Sequence, residues 1–286
     1  MNAPSDVGWR RTNLGHLLFA ATGKCIAAKL GVVHLAGFAR VTDAQLALFR
    51  HLDRDGTRLT TLAARAGLAK QSMIELVDKA ERERLVERRP DPNDRRAKIV
   101  VPSPRGMKLR RAAERGAAGA ERAFRAAVGE VHVAGIRRAL SVLAPGITHT
   151  SGAERMLALA AEQFVRDVLG AVHAHGYREV TEASLALFRT LELDGSRLTE
   201  VAAAARITKQ SMRVLVGRAE AMGLVGTAPD PADGRARTIR FSAAGLVMLD
   251  EMRRGVVAAE ARLAASVGDT AITDLKARLG SYLATP

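Results

Sequence analysis

Two copies of a basic hairpin sequence hold the side chains of this chain that are best suited to chemistry. The first copy, RRPDPNDRRAKIVVPSPRG, covers residues 88–106, and the second, TAPDPADGRARTIRFSAAG, covers residues 227–245. Prolines and Asx residues favour a turn between two strands, so Arg95, Arg96 and Lys98 are expected near the tip of the first hairpin. Guanidinium groups there suit the negative minor groove of DNA, and the alternative is an ordinary charged surface loop.

Acidic and basic positions within the hairpins predict their local contacts. Asp94 lies two residues before Arg96 and is expected to hold its guanidinium by a charge-assisted hydrogen bond. In the second hairpin, Arg235 corresponds to Arg96 and Arg237 corresponds to Lys98.

A polar motif, KQSM, precedes each hairpin, beginning at Lys70 and at Lys209. LTTLAARAGL and AKQSMIELVDKAERERLV predict two short helices with a turn at Gly67, a helix-turn-helix pattern. The second helix is expected to turn one face to the core, formed by Met73, Leu76, Val77 and Ala80. Its other positions are expected to face solvent or DNA: Lys70, Gln71, Ser72, Glu75 and Lys79. The alternative is that KQSM is only the solvated first turn of a surface helix.

The charge balance predicts a polyanionic partner. The net charge is +14 with a pI of about 11.0, which favours nucleic acid or, less often, an anionic membrane surface. Residues 1–145 hold 27 Lys and Arg against 14 Asp and Glu, whereas residues 146–286 hold 17 against 16. Nearly all of the excess positive charge therefore lies in the first half.

Composition favours two mainly helical domains in a reducing compartment. The chain has 286 residues and only 3% aromatics, and Ala and Leu are prominent. One cysteine cannot form an intrachain disulfide, and the first residues lack the apolar region of a signal peptide, so we expect a cytoplasmic protein. The apolar stretch around Lys24 and Lys29 is expected to be a packed helix, since both lysines disfavour a membrane span.

A shift of 139 positions superimposes the chain on itself. It aligns VTDAQLALFRHLDRDGTRLT with VTEASLALFRTLELDGSRLT, and roughly half of the positions between 41 and 106 are identical. A period this long indicates a duplicated domain rather than a solenoid. We predict a first unit at 1–145 and a second at 146–286, since Pro145-Gly146 stops a helix. Two pairs with capping-box spacing are expected to begin helices: Thr42 with Gln45, and Ser151 with Glu154.

With these motifs the sequence resembles the MarR family of bacterial transcription regulators. The segment from LTTLAARAGL to VPSPRG is similar to the family's winged helix-turn-helix, including its Asp-x-Arg wing motif at Asp94 to Arg96. The second unit is similar over the same span. The resemblance implies a mainly α fold with small β-hairpin wings, and a helical dimerisation region that would here join both units as an intrachain pseudo-dimer.

The resemblance also implies DNA contacts, a partner and an effector. The recognition-helix contacts fall on Gln71, Ser72, Gln210 and Ser211, and the wing contacts on Arg96 and Arg235. Lys70, Lys209 and Arg213 add charge to the helix starts, and Arg95, Lys98 and Arg237 add charge to the wings. We expect a repressor that reads an imperfect palindrome in double-stranded DNA, with half-sites about one helical turn apart. A small molecule entering the cleft between the packed helices and a winged lobe would release the DNA; no cofactor or metal is expected.

Other chemistry finds less support in the sequence. Cys25 corresponds to Phe164, which favours an apolar core position over an oxidant-sensing thiol. His34 and His173 occupy matching positions, and helix packing is favoured over a metal site. No catalytic motif stands out, so an enzyme is not expected. The alternative to a regulator is a helical ligand-sensing or protein-interaction module whose winged lobes, one or both, no longer bind DNA.

Overall fold

The computed structural model describes residues 8–205, 207–229 and 237–285. This part of the chain is mostly helical with two small antiparallel sheets, as predicted. It forms two compact lobes. The first lobe comprises residues 21–130 and 152–154, and the second comprises the described residues among 1–20, 131–151 and 155–286. The boundary between units 1–145 and 146–286 stays a prediction.

One series of elements carries the first helix-turn-helix and hairpin. In chain order these elements are α1 (Trp9–Thr12), α2 (Leu14–Leu35), α3 (Asp43–His51), β1 (Thr57–Arg58), α4 (Leu59–Ala66), α5 (Lys70–Arg82), β2 (Val86–Asp91), β3 (Asp94–Pro102), α6 (Pro104–Val128) and α7 (Glu130–Leu143).

The same order of elements recurs from α8 onwards. These elements are α8 (Ala153–Ala174), α9 (Glu182–Thr190), β4 (Ser196–Arg197), α10 (Leu198–Ala204), α11 (Lys209–Ala221), β5 (Val225–Pro229), β6 (Arg237–Phe241), α12 (Ala243–Val267) and α13 (Asp269–Ala284).

Each sheet has three antiparallel strands with the hairpin's second strand in the centre. The orders are β1-β3-β2 and β4-β6-β5. In the first sheet Val86 pairs with Pro102, and the register shifts between Pro90 and Asp91, close to the turn. In the second sheet Val225 pairs with Phe241 and Pro229 with Arg237. The short strands β1 and β4 tie each hairpin to the start of the first helix of the helix-turn-helix, since they lead directly into α4 and α10.

The predicted face of α5 is confirmed. Met73, Val77 and Ala80 are fully buried in the core of the first lobe, and Leu76 packs partly buried against it. Gly67, with φ of 64°, ends α4 in the left-handed conformation that forms the turn.

The two capping predictions have different outcomes. The backbone N–H of Thr42 donates to Gln45 Oε1 at 3.1 Å, as the capping-box spacing predicted. Ser151 Oγ instead accepts from the N–H of Thr148 at 3.0 Å. Glu154 does not complete a capping box with Ser151, since its carboxylate forms ion pairs with Lys29 and Arg50 in the first lobe.

Helix α2 is the one helix in the described ranges that is long and apolar enough to cross a membrane, judged by length and composition alone. Five of its side chains are nevertheless fully buried in the protein: Leu14, Leu18, Ala21, Cys25 and Val33. Lys29 is buried as well and ion-paired with Asp43 and Glu154. These features are those of a packed helix.

Candidate nucleic-acid interface and ligand pocket

The start of α5 presents polar side chains to solvent. Lys70, Gln71 and Ser72 are exposed, and the N-cap Ala69 has an extended backbone without a side-chain cap. Glu75 is exposed one turn later, and Gln71 Nε2 lies 3.4 Å from its carboxylate, a long hydrogen bond. The three residues predicted from KQSM therefore share one open surface.

The start of α11 is arranged in the same way but is capped. Lys209, Gln210, Ser211 and Arg213 are exposed. Thr208 Oγ1 accepts from the N–H of Ser211 at 3.0 Å, which satisfies one of the free donors at the helix start.

We define the first wing as residues 86–102. Its tip is ordered by a basic residue outside the hairpin that no sequence motif indicates. Arg58 Nε donates to Asp91 Oδ2 at 2.6 Å, and its Nη2 lies 3.5 Å from Asp94 Oδ2. The hydrogen bond from the N–H of Asn93, followed by that from Arg58, holds the pKa of Asp91 below its usual range. The bond to Asp91 raises the pKa of Arg58. A β1 residue 33 positions from Asp91 gives no local signal in the sequence.

The expected role of Asp94 needs a correction. Its Oδ1 accepts from the backbone N–H of Arg96 at 3.1 Å, and its Oδ2 faces Arg58, so it does not hold the Arg96 guanidinium. The local Asx-type bond is favoured because it needs no ordered long side chain.

Arg96 and Lys98 lie exposed on β3, and neither forms an ion pair within the described residues. Arg95 lies between Asp94 and Arg96 on the same strand. The two arginines of β2 are already ion-paired: Arg88 with Asp78 and Glu81, and Arg89 with Glu87. The free positive charge of the first wing is therefore concentrated toward its tip.

The second wing consists of β5 and β6. Arg237 is exposed at the start of β6, and its guanidinium donates to the carbonyl of Thr227 at 3.0 Å. Arg235 lies outside the described residues.

A pocket that is open to solvent lies within the second lobe. Its walls are mostly apolar and come from α1, α2, α8, α9 and α12. The lining residues are Trp9, Arg10, Asn13, Gly15, His16, Phe164, Val165, Val168, Leu185, Phe188, Arg189, Met252 and Val256. The family resemblance predicts an effector between the packed helices and a winged lobe, but no motif in the sequence indicates these residues.

Positive charge lines one side of this pocket. Burial lowers the pKa of Arg189, opposed by nearby Glu182, and its guanidinium stacks 4.1 Å from the centre of the Phe19 ring. Burial, then Arg189 and Arg11, lower the pKa of His16. Arg10 has a structural role, since it donates to the carbonyl of Phe188 in α9 and to that of Leu191 directly after the helix. No described carboxylate lies within ion-pair distance of Arg189, and Glu182 acts on it only from farther away, so an anion entering the pocket could contact this guanidinium directly.

His34 and His173 each contact a backbone carbonyl in the turn that follows their own helix, α2 or α8. His34 Nε2 lies 3.0 Å from the carbonyl of Val41, and His173 Nε2 lies 2.8 Å from the carbonyl of Val180. Among the described residues no group of three potential metal ligands occurs. Cys25 is fully buried. The histidines thus hold the turn between two helices, which is the packing role favoured from the sequence.

Comparison with known proteins gives one family match, which covers α5 and most of the first wing. The MarR family model matches residues 41–97. This MarR-type segment contains the α4–α5 helix-turn-helix and most of the first wing, and so includes Gln71, Ser72 and Arg96. No curated protein gives a significant match to the chain.

Three solved regulators resemble parts of the chain. A MarR-family regulator from Rhodococcus sp. RHA1 is 24% identical over 45% of this chain and 91% of its own, with a TM-score of 0.36. CouR from Rhodococcus jostii RHA1, solved with p-coumaroyl-CoA, is 22% identical over 53% and 99%, with a TM-score of 0.37. MepR from S. aureus, solved in complex with DNA, is 18% identical over 35% and 79%, with a TM-score of 0.28.

Proposed function

We propose that this chain is a transcription regulator that binds double-stranded DNA through its MarR-type segment. The observation that carries the proposal is the pairing of an exposed Lys70-Gln71-Ser72 helix start with unpaired Arg96 and Lys98 on the adjoining hairpin. A polar helix start fits the major groove, and a narrow cationic hairpin fits the minor groove.

The second helix-turn-helix is proposed to contact DNA as well, through Lys209, Gln210, Ser211 and Arg213, with Arg235 and Arg237 on its wing. One chain would then act as its own pseudo-dimer, built from units 1–145 and 146–286. Because α5 and α11 carry different side chains after KQSM, the two half-sites are proposed to be unequal. The operator would be an imperfect palindrome bound by one chain.

The proposed mode of action is ligand-responsive repression in the bacterial cytoplasm without catalysis. An effector releases DNA only if it binds one conformation better than the other, since equal affinity for both shifts no population. The pocket of the second lobe supports this proposal because its apolar walls and partly buried cations could hold a small molecule.

The test is binding of the full chain to DNA from the promoter region of its own gene, measured by fluorescence anisotropy between 50 and 300 mM salt. We expect a steep fall in affinity with salt, to which each phosphate neutralised contributes a slope of about 0.9. Arg96→Ala should weaken binding and reduce the slope by about one.

Arg89→Ala is the matched control on the same hairpin. The Arg89 guanidinium lies 2.9 Å from the Glu87 carboxylate and is already neutralised, so its removal should change the slope less. Equal changes for the two variants would contradict the proposed role of Arg96, and salt-insensitive or absent binding would contradict the proposed function.

The second candidate is a ligand-sensing or protein-interaction module in which one or both winged lobes no longer bind DNA. The observation that favours it is the near balance of 17 basic and 16 acidic residues after residue 145. Salt-insensitive behaviour of the full chain with DNA, together with retained small-molecule binding, would support this candidate.

A further inference from the structure

The pocket of the second lobe can be compared with the corresponding region of the first lobe, because positions 139 residues apart make equivalent contacts in the two lobes. The backbone N–H of Leu14 donates to the Glu260 carboxylate at 2.6 Å. The N–H of Ala153, 139 positions after Leu14, donates to the Glu121 carboxylate, which is 139 positions before Glu260. Each of these two hydrogen bonds lies within one lobe.

A second pair of contacts gives the same correspondence. A Cβ on Gly116 would lie 2.7 Å from the carbonyl oxygen of Lys29, and one on Gly255 would lie 3.3 Å from that of Val168. Both pairs of contacts agree with the shift of 139 positions in the sequence. That shift gives four pairs of corresponding positions: Gly15 with Glu154, Phe164 with Cys25, Val168 with Lys29, and Arg189 with Arg50.

In the first lobe these positions are filled by ion pairs. Glu154 Oε1 lies 2.7 Å from Lys29 Nζ and 3.2 Å from Arg50 Nη1. Lys29 Nζ also lies 3.1 Å from Asp43 Oδ1, and the lysine is only 5% exposed. A carboxylate so placed neutralises the arginine, and the lysine stem fills the space beside it.

In the second lobe the corresponding positions line the pocket, and none of them carries an ion pair among the described residues. Gly15 supplies no side chain, and the Phe164 ring occupies the space beside it, since a Cβ on Gly15 would lie 2.5 Å from that ring. Val168 replaces the lysine with a short apolar side chain. Arg189 keeps its guanidinium, which donates to the carbonyl of Leu185 and has no carboxylate partner among the described residues.

We propose that the chain has one effector site, in the second lobe, and that the Lys29, Glu154 and Arg50 cluster closes its counterpart in the first lobe. The ligand is an apolar, ring-sized molecule with one carboxylate or sulfonate group. Its anion sits at Arg189 as the Glu154 carboxylate sits at Arg50, and its apolar body lies against Phe164 and Val168. The regulatory meaning of this site rests on the proposed function, whereas ligand binding does not.

The site contains its own reporter, because Trp9 lines the pocket and is the only tryptophan of the chain. The probe is 8-anilinonaphthalene-1-sulfonate, which has apolar rings and one sulfonate. Titration of the full chain without DNA should show saturation at one probe per chain by equilibrium dialysis. Energy transfer from Trp9 to the probe should rise in parallel.

Two single substitutions separate the lobes. Arg189→Met should weaken probe binding by about tenfold, as expected for the loss of a charge-assisted contact. Arg50→Met, at the corresponding position of the first lobe, should leave the probe affinity unchanged. Equal effects of the two substitutions would overturn the proposal, as would two equivalent probe sites per wild-type chain.

Exchanging the closing residues tests the cause of the asymmetry. Gly15→Glu combined with Val168→Lys should abolish Trp9 energy transfer, and Lys29→Val combined with Glu154→Gly should create a second probe site. Circular dichroism identifies any variant that fails to fold, in which case the Arg189 and Arg50 pair decides alone. Probe binding at one site without any DNA binding would contradict the proposed function but not this inference. DNA binding without probe binding at this site would contradict this inference but not the proposed function.

Discussion

At the scale of single residues, whether a basic side chain can neutralise a phosphate depends on whether it already forms an ion pair, and not only on its charge. Arg88 and Arg96 are both arginines of the first wing, yet Arg88 is bound by two carboxylates and Arg96 by none in the described part of the chain. Sequence composition counts both equally. Only the free guanidinium can neutralise a phosphate without first breaking an ion pair.

The Asp91 carboxylate should remain ionised in unusually acidic solution. Its pKa is lowered, so it stabilises the folded hairpin above a pH of about 3.9, and this contribution is lost as the pH falls through the lowered pKa. Carboxyl-carbon NMR against pH measures this directly. Arg58→Met should raise the pKa of Asp91 only partly, because the bond from the N–H of Asn93 remains; an unchanged pKa in this variant would contradict the role given to Arg58.

The His16 imidazole should be neutral at pH 7. Burial lowers its pKa, so the unfolded chain takes up a proton at higher pH than the folded chain does. The free energy of unfolding should therefore decrease as the pH falls from about 6.5 to the lowered pKa. NMR of the imidazole protons should show that Arg189→Met raises the pKa of His16 while Arg50→Met does not. A normal pKa of His16 in the wild type would contradict the half-buried position of its imidazole.

Local pattern was sufficient for some residues and insufficient for others. The buried face of α5 follows from helical spacing, and the capping box at Thr42 follows from two residues three positions apart. The partners of Lys29 could not be predicted, because Glu154 lies 125 positions away and its spacing to Ser151 imitates a local cap. Arg58 was missed for the same reason, since ion pairs between distant segments leave no periodic signal.

At the scale of secondary-structure elements, each hairpin is joined to the following long helix at a close contact. A Cβ on Gly106 would lie 2.0 Å from the carbonyl oxygen of Leu85, and one on Gly245 would lie 1.9 Å from that of Leu224. Ser103 and Ser242 cap the same helices through their hydroxyl groups. Glycine is therefore required where α6 and α12 pass the ends of α5 and α11.

Gly106→Ala should lower the free energy of unfolding by about 1–3 kcal/mol, because the added methyl group displaces backbone rather than a flexible side chain. Gly119→Ala is the matched control in α6: only the Arg122 guanidinium, at 3.9 Å, lies near it. This control should be neutral or stabilising by up to about 1 kcal/mol. Urea unfolding compares the two, and similar losses of stability would contradict the close contact.

The starts of α5 and α11 should respond oppositely to exchange of their N-cap residues. Thr208→Ala removes the acceptor for the N–H of Ser211 and should lower stability by about 1 kcal/mol. Ala69→Thr introduces such an acceptor at an N-cap with a similar extended backbone and should raise stability by a comparable amount. Urea unfolding of each variant checks both changes; stabilisation by Thr208→Ala would refute the capping role.

At the scale of the whole molecule, the duplicated order of elements does not make the two halves equivalent. The unequal charge of the two halves follows from the sequence, and the structure adds unequal helix caps and different side-chain contacts at corresponding positions. The last of these could not be foreseen from the repeat alone. It depends on three differences between the halves taken together: Cys25 corresponds to Phe164, Lys29 to Val168, and Glu154 to Gly15.

The charge asymmetry predicts unequal wings. Replacing Arg95 and Arg96 by Ala should weaken DNA binding and flatten its salt dependence more than replacing Arg235 and Arg237, because the excess positive charge lies before residue 145. Anisotropy titrations at several salt concentrations measure both effects. Equal losses would refute the asymmetry and leave the two wings as equivalent contacts.

The complete burial of Cys25 has a practical consequence for observing this protein at work. A maleimide dye reaches only thiols at the surface of the native state, so the natural cysteine should stay unlabelled. A cysteine introduced at Val131, which is 85% exposed, would then be the sole attachment point for a fluorophore. Single-molecule fluorescence can then test the proposed DNA binding on individual chains without first removing the native thiol.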